Sequence, residues 1–173
     1  MASNSHSIMT PNPIDFALRV CESIAFGLHA VLGIIEPWTG CVRTAFRDNG
    51  AMPRWFWPVA GVLLGVVAAA NFSKSNEVVL AAQAYIAAFH FGACFYHLRL
   101  GHHPAAACAP LIFVVFAMAV TSIRTNVGIA IIGAAICAGF AYLLSRILVT
   151  PQSGSVAEGG SLLSENERAT IGR

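Results

Sequence analysis

The residues whose types and spacing could do chemistry are three histidines, a cysteine, a glutamate and an arginine. His90, Cys94 and His97 follow spacings of four and three, which places them on one stripe of a helix. Imidazole and thiolate bind zinc, and imidazole binds haem iron. A zinc site wants three or four ligands, and one helical face aims at most two, so another element must contribute. His29 is the candidate for that contribution. Arg19, Glu22 and His29 lie at spacings of three and seven and share a face. Arg19 and Glu22 are expected to pair as interior polar residues, with His29 further along, facing His90. His29, His90 and His97 therefore form the candidate cofactor-binding set, suited to haem, a pigment or a quinone. No Asp/Glu/His cluster has a catalytic spacing, so no catalytic residue is assigned. The sequence requires no cofactor, and the reading of the same residues as ordinary interior polar groups stands beside the cofactor reading.

The elements that must position these residues are apolar. The chain has 173 residues, 57% hydrophobic and 10% charged, against about 25% charged in a soluble domain. Too few charges remain to cover a water-facing surface. The apolar residues fall into five blocks of about the 20 residues that cross a bilayer: 16–35, 55–72, 78–98, 105–123 and 127–149. The expected fold is all-α, a polytopic membrane helix bundle with the lipid bilayer as solvent. A polar segment, 1–13, precedes the helical domain, 14–149, and a polar tail, 150–173, follows and is expected to be disordered. The first thirteen residues hold no Lys or Arg, unlike a signal or transit peptide, so the first span is expected to stay in the mature chain. A net charge of +2 excludes an electrostatic nucleic-acid partner.

Between the first two spans, residues 39–47 are expected to form a short surface helix with Val42 and Phe46 inward and Arg43 and Arg47 outward. Trp38, Trp55 and Trp57 suit the membrane interface. Gly61 and Gly65, Gly133 and Cys137, and Ala135 and Gly139 have the small-residue spacing of close helix packing. Pro110 predicts a kink or late start in the fourth span. Gly101 is expected to end the third span with positive φ. Tyr96, His97 and Arg99 gather at that end, where they are candidates for contact with a partner, while His102 and His103 in the turn are expected to be solvated. The tail carries Glu158, Leu162 and Leu163 in the acidic dileucine pattern that clathrin adaptors read in eukaryotic cells. The five cysteines form no CxxC and no disulfide framework. Basic residues favour the side of the C-terminus: Arg43, Arg47, Arg54, Arg99 and Arg146 against Arg19, Lys74 and Arg124. The positive-inside rule then places the C-terminus in the cytosol, in an endomembrane or the plasma membrane of a eukaryote.

Three stretches within about 55–126 resemble the DoxX-like family of small integral membrane proteins. They are Pro58-Val59-Ala60-Gly61-Val62-Leu63-Leu64-Gly65, the aromatic-histidine exit from Gly92 to Gly101, and the Ala- and Pro-bearing start from Pro104 to Pro110. The second helix lacks the glutamate common in that family, no lysine follows the first, and a fifth span is added. The resemblance implies a four-helix core and an accessory role, as in subunits beside oxidoreductases or a chaperone of receptor assembly. Two functions follow as expectations. One is a non-catalytic accessory or assembly-helper subunit with a protein partner in a membrane complex. The other is a membrane redox or cofactor-binding protein using the intramembrane histidines.

Overall fold

The computed structural model describes residues 12–45 and 51–149. Phe46 and Arg47, the N-terminal segment, and the tail with Glu158, Leu162 and Leu163 lie outside the described residues. Among the described residues seven helices follow one another: α1 (Pro13–Thr39), α2 (Cys41–Ala45), α3 (Phe56–Ala70), α4 (Asn76–Arg99), α5 (Pro104–Cys108), α6 (Leu111–Arg124) and α7 (Val127–Leu148). Among the described residues there is no strand.

Local chemistry fixes the helix ends. The Asn12 side chain accepts the backbone N–H of Ile14 at 2.9 Å, and Pro13 takes the first helical position, where a missing N–H costs nothing. Ser75 and Asn126 cap α4 and α7 in the same way. Gly101 ends α4 at φ +68°. The His102 N–H returns to the His97 carbonyl at 3.0 Å and the Gly101 N–H to Leu98 at 3.2 Å, the paired bonds of a Schellman motif. α1 runs past the expected end at Ile35, through Pro37 to Thr39, and stops at Gly40 with φ +62°. Pro110 has no N–H to give, and α5 and α6 meet at it, splitting the expected fourth span.

Among the described residues four stretches are long and apolar enough to cross a membrane: Pro13–Thr39, Asn76–Arg99, Pro104–Arg124 and Val127–Leu148. The expected second span is shorter than its apolar block. α3 has 15 residues, about 22 Å of helix against a hydrocarbon core of about 30 Å. It nonetheless runs antiparallel along α1, from Gly61 beside Gly33 to Asn71 beside Arg19. α4 runs parallel to α1, with Gln83 on Glu22 and His90 on Phe26. α6 runs back, from Phe113 on His90 to Arg124 on Asn76. α7 returns alongside α4, from Cys137 at Ala84 to Ser145 at Arg99. The five rungs alternate in direction, so Pro13 and Leu148 lie at opposite ends of the bundle.

Packing is closest between α1 and α3. A Cβ on Gly61 would sit 2.7 Å from the Ile34 nitrogen and 2.8 Å from the Ala30 carbonyl oxygen; one on Gly33 would meet the Trp57 carbonyl oxygen at 2.8 Å. Gly61 thus does what its spacing predicts, against a glycine of α1 rather than through Gly65, where a Cβ would have ordinary contact. The α1–α3 pair joins the other helices through larger side chains, with Phe26, Leu64, Val67, Ile86 and Ala117 in one buried cluster. α7 departs from its expected packing. Ala130, Ala141 and Ser145 are buried, but Ala135 and Gly139 point outward and nothing lies near Gly139.

Candidate functional site

The inner face of α1 carries Asp15, Arg19, Glu22, Phe26, Ala30, Gly33 and Glu36, all buried. Its spacings of three and four continue for the whole helix, which makes α1 the wall on which the polar groups assemble. Arg19 and Glu22 are inside, but they do not pair with each other. Arg19 donates from Nε to Asp15 Oδ2 at 3.0 Å and from Nη1 to the Asn71 carbonyl. Asp15 also receives Arg124 from α6, at 2.7 Å on Oδ1 and 2.8 Å on Oδ2. One carboxylate thus holds two guanidiniums, one on its own helix and one 109 residues away. Glu22 instead takes two neutral amides on Oε2, from Asn71 at 3.0 Å and Gln83 at 2.9 Å. Gln83 also donates to Asn71 Oδ1 at 2.7 Å. Glu22, Asn71 and Gln83 are each 1% exposed or less, about 14 Å along α1 from Pro13. The cluster ties α1, the end of α3 and α4 together by buried hydrogen bonds, and α6 by the half-buried Arg124.

The histidines do not converge. His29 lies at the edge of the inner face of α1, exposed, with Nδ1 on the Ala25 carbonyl at 2.7 Å. Phe26 and Ala30 occupy the centre of that face, and it is Phe26 that packs on the His90 ring, with His29 to the side. His90 is buried as expected, but its Nδ1 is bonded to the Ile86 carbonyl at 2.9 Å. Its ring packs on Phe113 at 4.7 Å and Phe26 at 5.2 Å. His97 lies further along α4, its Nδ1 2.7 Å from His102 Nδ1. One imidazole must donate and the other accept in such a contact, so His102 is a partner of His97 rather than a solvated turn residue. Among the described residues no three His, Cys, Asp or Glu side chains gather as a metal would require.

The other end of the bundle is tied by different groups. Tyr96 and His97, expected at a contact surface, are buried. Tyr96 packs with Ala51, Met52 and Val149, and edge-on to Trp57 at 6.3 Å. Arg99 turns to α7 and donates to the Ser145 carbonyl at 2.7 Å. Glu36, one residue past the expected first span, is 1% exposed. It accepts the Val42 N–H at 2.6 Å and Arg43 Nε at 2.7 Å, folding α2 back onto α1. Val42 is inward in α2, as its spacing predicts.

Sequence reasoning found Arg19, Glu22 and His90 because polar groups in an apolar span stand out. It missed the joining of Asp15, Asn71, Gln83 and Arg124 to them. The available clue was that all four lie at the same end of alternating helices. Comparison with protein-family models, with curated proteins and with solved structures found no match to this chain, so the reading rests on its own chemistry.

Proposed function

We propose that the protein is a non-catalytic accessory or assembly-helper subunit of a larger membrane complex, of the DoxX-like kind its central segment resembles. The observation that carries this reading is α7. Only 11% of its apolar span is buried within the bundle, against 33% and 39% for α1 and α4. Its outer face is an unbroken apolar strip of Ile129, Ile132, Ile136, Phe140, Leu143 and Ile147. Its inner face packs along α4 and α6, and the outer strip is the surface that a helix of another protein would cover in place of lipid. The interior ionisable groups support the same reading, since Asp15, Arg19, Glu22 and Arg124 engage neighbouring side chains and backbone within the bundle. The basic residues Arg43, Arg54, Arg99 and Arg146 favour a cytosolic C-terminus.

The test is isolation of the tagged full-length chain in mild detergent, with wild type beside Ile132→Trp/Ile136→Trp. A stoichiometric membrane protein that accompanies the wild type and is lost from the double variant, with helicity unchanged, supports the proposal. A chain that isolates alone and carries a visible absorption band removed by His90→Ala would instead support the cofactor-binding reading.

A further inference from the structure

We propose that Glu22 is an intramembrane proton-binding site, with an exchangeable proton on Oε1. The hydrogen bonds around it leave one position for that proton. Gln83 spends both amide hydrogens, on Glu22 Oε2 and Asn71 Oδ1. Those two acceptors fix its orientation, because the reversed amide would set an oxygen against two oxygens. Asn71 is fixed in turn, its Oδ1 facing the Gln83 donor and its Nδ2 directed to Glu22 Oε2, the Arg19 carbonyl and Ser23 Oγ. The Ser23 hydroxyl donates to the Ala68 carbonyl at 3.2 Å. Both amides therefore serve Oε2. Glu22 Oε1 and Gln83 Oε1 receive no hydrogen bond from the described residues, although Glu22 is 0% and Gln83 1% exposed.

The charges nearby are committed elsewhere. On α1, Asp15 and Arg19 pair with each other, and Arg124 of α6 closes on Asp15 and Asn76. Past α3, Lys74 is exposed. On α4, Glu77 is exposed and His90 lies two turns away, on the Ile86 carbonyl. α7 brings Cys137, whose thiol donates to the Ala84 carbonyl. Arg19 is one turn away on the same face but donates to Asp15 and the Asn71 carbonyl, so an ionised Glu22 carboxylate has two neutral donors on one oxygen and none on the other. A proton on Oε1 removes the buried charge and converts an unserved acceptor into a donor. Its loss to water takes the set of Asp15, Arg19, Glu22 and Arg124 from one net positive charge to neutral.

Infrared spectroscopy of the full-length chain in lipid vesicles at neutral pH tests this. The expected result is a carboxylic-acid carbonyl band that shifts in heavy water and on labelling glutamate with carbon-13. It is absent from Glu22→Gln and retained in Asp15→Asn. The labelling arm uses the wild-type protein, so it stands even if a variant fails to fold. Absence of a glutamic-acid band from the wild type, because a water or metal cation serves an ionised Glu22, overturns the proposal. So does a band that survives Glu22→Gln.

Discussion

Asp15 joins α1 to α6 through one carboxylate. Its carboxylate accepts Arg19 and Arg124 together while only 3% exposed. Asp15→Ala should lower unfolding stability by about 3 kcal/mol, because both guanidiniums lose their shared partner inside the bundle. Gln83→Leu should cost about 1–3 kcal/mol by stranding Asn71 Oδ1 and halving the donors on Glu22. Thermal or denaturant unfolding in detergent, followed by helical circular dichroism, measures both. The identity of the interior residues was legible in the sequence because a charge within an apolar span must face inward. Their pairing was not. The spacing of three suggested Arg19 with Glu22, whereas Asp15 at a spacing of four is the better-aimed partner and Arg124 arrives only through the fold. His29 shows the same limit: seven residues from Glu22 keeps it near the face, yet Phe26 and Ala30 hold the centre.

At the level of elements, two glycines have separate tasks. Gly61 lets α3 touch α1 backbone to backbone, so Gly61→Ala should destabilise by about 1–3 kcal/mol through overpacking. Gly101 has open space around it but φ +68°. Gly101→Val should therefore cost about 1–2 kcal/mol through backbone conformation alone, and Gly101→Asn much less. Equal losses for Val and Asn at 101, measured by the same unfolding assay, would show that the turn conformation is not the cause. The end of α4 was legible because Gly101 announces a left-handed cap, whereas Ser75 and Asn126, which cap α4 and α7, were not read as helix starts. The end of α1 was not legible, because Pro37 suggests a break, whereas α1 continues through it for two more residues to Thr39. The partner of Gly61 was missed because a glycine spacing within α3 says nothing about which residue of another helix stands opposite.

For the molecule as a whole, the apolar blocks gave the helical bundle, and the unresolved point in the pattern was α3, too short by length to count as a span. The structure settles its course within the bundle: it travels from the Gly33 level of α1 to the Arg19 level, against the direction of α1. Terminal Trp55 and Phe72, both exposed, extend its apolar reach, and local bilayer thinning can accommodate the rest. Five alternating rungs, if each crosses the bilayer, bring the two ends of the chain out on opposite sides of the membrane. The direct measurement is protease protection of the full-length protein in sealed vesicles of known orientation, tagged at the N-terminus in one preparation and at the C-terminus in another. The account predicts that external protease removes the C-terminal tag on the cytosolic side and leaves the N-terminal tag until the vesicles are opened. Removal of both tags from the same side would contradict it and leave α3 as a helix that does not cross.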